Sequence, residues 1–452
     1  MSISLNSQDD IVTNNHFDVN KTFDSISLLT SIWLIYESGY GMLQILGMAH
    51  SRHVLFSMTG HFQNPGPFGG FIAMLMSICL GFVLLEDRNE VWQRWVRRVC
   101  FVAIAMGVVV LPASMSRSGW LGLAIAMMVL IFRNKMVNEW FSAKSIRVIV
   151  AMGVFAFIIV GGFLLKKDSA LGRIHIWHME LQAILKTSFT GFGKGRFAWA
   201  YGETQAAYFS TAERAPWEIR VAGCPEYAFN EYLKAGVEWG IPGFLLLLGL
   251  ALFMCIILVQ KANPLGYGAI VFSVFAFFSY PLSLWQFRLM AGLFVAAALG
   301  ELLGRYRRIA YLLFVLVTGT VWMNGRHRIP APNYRVLYQQ GHAMFQRGAY
   351  KDALPLLRDG ASLSCDPMFH NIMGRCYEAL GEYKNAEIEY LHAHYMVPCR
   401  LYPLVLLQEL YLSQSDTLHA NAMLSRIREM PINAKNTNMI NLRKRAEENS
   451  LR

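Results

Sequence analysis

Apolar runs long enough to cross a bilayer alternate with short charged connections through residues 25–324, and one polar stretch, 166–235, interrupts them. About nine spans are expected, at 25–48, 67–85, 97–113, 117–132, 146–165, 236–260, 265–282, 285–303 and 307–324, each approaching the ~20 apolar residues that a crossing helix needs. The first span is impure, since it holds Tyr36, Glu37 and Gln44. A carboxylate in a span is costly and faces a polar interior. Residues 1–24 are polar and expected to be loose. They lack a charged-then-apolar leader with a cleavage site, so the first span is expected to act as an uncleaved anchor.

The pattern changes after Asn324. Residues 333–430 read as paired amphipathic helices, in which Gly341, Tyr350, Ala353 and Pro367 are echoed by Gly374, Tyr383, Ala386 and Pro398. A small residue before the turn, an aromatic opening the second helix and a period of about 34 residues match tetratricopeptide repeats. Two units are clear, and a third over 401–430 is weaker. Residues 431–452 form a charged tail. The expected fold class is therefore all-α, a polytopic transmembrane helical bundle followed by a tetratricopeptide-type helical domain.

Composition agrees with the pattern. The 452 residues are 54% hydrophobic and 16% charged, against the ~25% charged that is usual for soluble domains. The net charge of +11 would point to nucleic acid in a soluble protein. Here the cations sit in short loops beside spans and no groove-binding motif accompanies them, so nucleic acid is excluded as a partner. Arg88, Arg94, Arg97 and Arg98, then Arg133, Lys135, Lys144 and Arg147, then Lys261, then Arg305, Arg307 and Arg308 all fall on one side of a nine-span arrangement. That side is cytoplasmic by the positive-inside rule. The 166–235 loop and the C-terminal helices are then external. The loop's own cations do not contradict this, because long loops translocate largely regardless of charge.

That loop carries the candidate chemistry. Arg173, Lys186, Lys194, Arg196, Arg214 and Arg220 are interleaved with Trp177, Trp199 and Trp217. Guanidinium forks grip phosphate oxygens, and flat aromatic rings pack on sugars. A basic, aromatic loop at a membrane surface suits an anionic, lipid-linked glycan. Seven cysteines form no CxxC pair and no zinc array. His175 and His178 stand at i,i+3 without a matching acid, so neither metal nor cofactor is expected. The GFGKGRF run lacks the lysine–hydroxyl pair of a phosphate loop and reads as a tight turn.

The ordered set YGMLQILGMAH…TGHFQNPGPFGGFIAM, SMSRSGWLGLAIA, GRIHIWHMELQAILKTSFTGFGKGRF and AFNEYLKAGVEWGIPGFLLLL resembles the O-antigen ligase and polymerase superfamily, which includes bacterial protein O-oligosaccharyltransferases. The resemblance covers about residues 40–300. It implies transfer of a glycan from an undecaprenyl-diphosphate carrier to a lipid, glycan or protein acceptor on the periplasmic side of the bacterial inner membrane, with no metal or nucleotide. It implies diphosphate contacts from Arg117, Arg173 and one of Arg214 and Arg220, with Trp177 and Asn230 at the substrate. Arg117 and Arg173 could instead anchor at headgroups, and Asn230 could cap the following helix.

Two departures stand out. The family's histidine before the asparagine, the usual base, is Phe229 here, which leaves Glu231, Glu226 or His178 as substitutes, or a reaction that relies on charge stabilisation alone. Relatives also have about a dozen spans, so either residues 1–24 replace an N-terminal block or the start is truncated. A non-catalytic scaffold that organises envelope glycan assembly through a protein partner on its repeats is the alternative reading. A transporter would need paired broken helices or internal membrane repeats, and neither is legible.

Overall fold

The computed structural model describes residues 7–85, 90–133, 167–325, 333–431 and 436–450. Every regular element among them is helical. The chain divides into two compact units. The expected span 146–165 lies outside the described residues.

The first unit contains Met1–Lys166, Phe229–Glu231 and Leu246–Arg328. Its helices are α1 (Ser7–Ile45), α2 (Pro65–Leu85), α3 (Val91–Ala113), α4 (Arg117–Arg133), the later part of α8 (Glu231–Gln260), α9 (Leu265–Phe278), α10 (Trp285–Leu303) and α11 (Arg307–Gly325). They coincide with the expected spans to within a few residues, except that α1 begins at Ser7. Once an apolar span has supplied the costly helix nucleus, extending it into polar sequence is cheap. α2, α3, α8 and α10 are long and apolar enough to cross a membrane, and α9 is a shorter apolar helix. The chain is thus a polytopic helical membrane protein.

α2 is the centre of this unit. It packs on α1, α3, α4 and α9, and 83% of its most apolar stretch is buried, against 33% for α3. Phe71, Phe275 and Phe287 meet in its core, the last two stacked at 5.3 Å. Aromatic pairs of this kind add to plain area burial.

The second unit contains Lys167–Ala228, Tyr232–Leu245 and Ile329–Arg452. It begins with α5 (Lys167–Thr187), α6 (Phe197–Thr211) and α7 (Pro216–Val221) and takes in the start of α8. Six helices then follow as three successive packed pairs: α12 (Tyr334–Gln346) with α13 (Tyr350–Ala361), α14 (Met368–Ala379) with α15 (Tyr383–Met396), and α16 (Tyr402–Ser413) with α17 (Thr417–Glu429). A last helix, α18 (Thr437–Asn449), packs on α16 and α17. The first two pairs turn through Gly348 and Gly381, both left-handed at φ 78° and 80°.

Loop helices and hairpins share hydrophobic contacts in this unit. Met179, Phe197, Tyr201, Leu233 and Val237 cluster with Cys365, and Ala206 clusters with Met396 and Val397. Gln205 fixes the join. Its side-chain amide donates to the carbonyls of Gly223 (2.9 Å) and Met396 (2.5 Å), while its oxygen accepts from the Tyr201 hydroxyl (2.6 Å).

Candidate functional site

The glycine turn comes first, because it positions the polar loop. α8 is kinked at Gly240, which stands at φ 71° and ψ −172°, a region essentially reserved for glycine. Pro242 has no N–H to give the Glu238 carbonyl, and the Ile241 N–H is drawn away to Ser188 O (2.7 Å). Two helix carbonyls therefore lose their donors. The turn supplies both: Phe192 N–H reaches Val237 O and Gly193 N–H reaches Glu238 O, each at 2.9 Å. These amides are spent on the helix, so they form no phosphate nest.

The candidate arginines occupy different settings. Arg117 is the first residue of α4. The turn before it is held by Ser114 and the Trp120 indole, both of which donate to Leu111 O at 2.6 and 3.1 Å. Arg173 and Trp177 lie one turn apart on α5, both half-buried. Arg214 is committed locally. It donates twice to Tyr208 O (3.1 and 3.0 Å) and stacks 3.8 Å from the Tyr208 ring, closing the end of α6. Arg220 is exposed on α7, without a side-chain hydrogen bond among the described residues.

His175 is buried and shares a hydrogen bond with Gln205 (2.9 Å), and burial pushes its pKa down. His178 is exposed and bonded to Gln182 (3.0 Å).

The base candidates are also engaged. In the first unit, Phe229 has φ 55° and packs edge-on to Tyr280 at 5.5 Å. Asn230 and Glu231, which follow it, are buried. The Glu231 carboxylate accepts the Leu282 N–H at 2.7 Å, tying the start of α8 to the connection between α9 and α10. In the second unit, Glu226 accepts from the Tyr334 hydroxyl (2.8 Å) and from Arg335. The tyrosine bond foremost, with the guanidinium, holds its carboxyl below the usual carboxylate range. Glu226 lines a cavity of about 480 Å³, together with Lys234, Glu238, Arg335, Asp366 and Arg400. The wall carries both signs of charge, and Arg400 pairs with Asp366 at 3.2 Å. None of Arg173, Arg214 and Arg220 lines it.

One arrangement was not foreseen. Buried Glu37, within α1, lies 3.1 Å from Nδ1 of His61 in the connection to α2. The imidazole stacks on Tyr40 at 4.1 Å, and its Nε2 lies 3.1 Å from the Tyr36 hydroxyl. Gln44 pins the same connection, accepting the N–H groups of Thr59 and Gly60 at 2.9 and 2.8 Å. An imidazole oriented by a buried carboxylate is the arrangement that a general base uses. The signal in the sequence was Glu37 itself, a carboxylate in a span, but nothing local pointed to His61 as its partner.

A multi-pass helical membrane protein with a polar helical unit is the class these features define. Residues 100–248 match the O-antigen ligase family model, and this segment belongs to that superfamily. The match covers about a third of the chain and suggests a membrane glycosyltransferase-like function for it. It includes Arg117, Arg173, Trp177, Arg214, Arg220, Glu226, Asn230 and Glu231. No curated protein matches the chain.

Proposed function

We propose that this protein transfers a glycan from an undecaprenyl-diphosphate carrier to a lipid, glycan or protein acceptor on the periplasmic side of a bacterial inner membrane. The observation that carries this reading is the ligase match over residues 100–248, which holds every candidate arginine. The departing group is a lipid diphosphate, and fixed guanidinium groups stabilise the negative charge that develops on it. Arg117, Arg173 and Arg220 are the assigned contacts. Of Arg214 and Arg220, Arg220 is preferred, because the Tyr208 carbonyl already occupies Arg214. Trp177 and Asn230 are assigned to substrate placement.

The acceptor hydroxyl needs a base, and His61 oriented by Glu37 is assigned that role ahead of Glu226 and Glu231. An imidazole oriented by a buried carboxylate suits proton abstraction better than a carboxylate held by Tyr334 and Arg335 or one bonded to a backbone N–H, and in this role the acceptor hydroxyl replaces Tyr36 at Nε2. In this reading the three hairpins are tetratricopeptide repeats that bind an acceptor or a protein partner. If neither His61 nor any other residue acts as a base, the engagement of Glu226 and Glu231 favours the scaffold instead.

Transfer by the purified full chain, in liposomes with a lipid-linked donor, tests the assignment. Arg173→Lys should cut turnover about a hundredfold, nearly as far as Arg173→Ala, because lysine keeps the charge and loses the planar fork. His61→Gln should cost about 10²-fold or more. Wild-type turnover in both variants, or loss explained by failure to accumulate in the membrane, would remove the reading. Reporter fusions after Ala200 and Gln340 should both report an external position, and a cytoplasmic signal from either would discard the proposed topology.

A further inference from the structure

Away from every residue considered above, three side chains of the second unit converge. Glu203 on α6, His370 on α14 and His392 on α15 each bring one ligand atom within 4.8 Å of the other two. We propose that they form a binding site for a divalent transition ion of the zinc class.

Three observations support this. The first is spacing. His392 Nε2 and Glu203 Oε1 are 3.1 Å apart. Two ligands bound to tetrahedral zinc at 2.0–2.1 Å are ~3.3 Å apart, so a metal fits this edge with little movement. The second is the outer partner. His370 Nδ1 bonds to Glu389 Oε2 at 2.7 Å. This leaves Nε2 as the nitrogen for a metal, and ligating histidines typically give their other nitrogen to a carboxylate in this way. The third is crowding. The two imidazole rings lie 4.4 Å apart at centroids, and side-chain exposures of 13% for His370 and 28% for His392 leave the site half-covered yet reachable.

Two imidazoles and one carboxylate suit zinc and its first-row neighbours better than magnesium or calcium, which prefer oxygen. Three protein ligands leave a fourth position for water. Lys186, which donates to Thr204 Oγ1 at 3.5 Å beside Glu203, adds a like charge that lowers the affinity without blocking the site. Bound metal would clip the loop helix α6 to the α14–α15 hairpin, joining by coordination what Gln205 joins by hydrogen bonds.

The test uses the full chain in detergent, purified without a polyhistidine tag, stripped with chelator and dialysed against Zn²⁺. Elemental analysis should find about one zinc per chain, and Co²⁺ should give the visible absorption of a tetrahedral site. Zinc should raise Tm by ~5 °C. His370→Ala and His392→Ala should each cut bound zinc at least ~10-fold, and Glu389→Gln should weaken affinity ~10–100-fold. His419→Ala, an exposed histidine paired with Asp416 elsewhere, should change nothing. If an alanine variant fails to fold, His392→Gln keeps a hydrogen-bonding group toward Glu203 while removing the ligand, and it should lose zinc equally. Wild-type protein holding less than ~0.1 zinc per chain, or undiminished zinc binding in the His370→Ala/His392→Ala double variant or in His392→Gln, would overturn the site.

Discussion

The two units bury their residues by different rules. In the membrane-helix unit the inside is apolar and so is much of the outside. α2 is sheathed on all sides, while Phe101, Val102, Val108 and Val109 on α3 remain exposed, as lipid-facing residues do. In the second unit buried apolar side chains gather in separate clusters, and the surface carries ion pairs such as Arg445–Glu409 (2.6 Å) and Arg400–Asp366 (3.2 Å). Buried polar groups differ as well. The membrane unit ties Glu37, Gln44 and Glu231 to backbone or to one histidine up to about fifty residues away. The second unit uses Gln205 to join segments nearly two hundred residues apart in sequence. Water competes with the surface ion pairs of the second unit, so its shape rests on close packing, special backbone positions and a few buried hydrogen bonds such as those of Gln205. In the first, hydropathy alone dictates most of the burial.

That contrast predicts where single substitutions hurt most. The largest effect is expected at Gly240. A Cβ there would meet the Phe189 carbonyl carbon at 2.5 Å, on a backbone conformation that side chains avoid. Gly240→Ala should destabilise by more than about 3 kcal/mol, read as loss of folded protein in detergent or as a large fall in Tm. A variant of wild-type stability would mean that the kink relaxes and that the turn does not hold it.

A smaller effect is expected inside the hairpins. A Cβ on Gly374 would lie 2.4 Å from the Tyr390 ring. Tyr390 is fully buried and its hydroxyl is held by Glu378 at 2.8 Å, so it cannot easily swing away. Gly374→Val should cost about 1–3 kcal/mol by overpacking, measured by thermal unfolding. Comparable stability in wild type and variant would show that α14 and α15 have slack, which close-packed helix pairs lack.

The same contrast explains what could be read in the sequence. Apolar length placed α2, α3, α8 and α10, because a bilayer forces that length, and apolar runs marked the helices α4, α9 and α11. Glycine, aromatic and alanine at a fixed period placed the hairpins, because Gly341 and Gly374 let paired helices approach closely. The turn at Gly191–Gly195 was legible as a turn. Its duty, supplying N–H groups to a helix broken at Gly240, was not, since donor and acceptor are more than forty residues apart. The candidate site was harder still. Composition gave the arginines, but Arg214 on the Tyr208 carbonyl looks the same in sequence as Arg220 facing solvent. Glu37 with His61, and Glu203 with His370 and His392, are pairings made by folding, and periodicity carries no trace of them.

The smallest effect is expected at Glu226, and it separates a holding role from a chemical one. This carboxylate is held by Tyr334 and Arg335 and has a lowered pKa. A depressed carboxylate contributes stability above its unfolded pKa and loses it as pH falls through the folded value. Any contribution is therefore present at neutral pH and gone in acid. About half of the side chain is exposed (49%), so solvent screening keeps it small. Glu226→Gln should lower Tm at pH 7 by only about 1 °C. The difference between wild type and variant should shrink as pH falls below the ordinary carboxylate range and vanish once pH has passed through the lowered folded value. Glycan transfer should be unchanged. A transfer rate reduced a hundredfold with Tm intact would instead make Glu226 the base. His61 would then be a positioning partner of Glu37, and the assignment of the base to the membrane-helix unit would have to be redrawn.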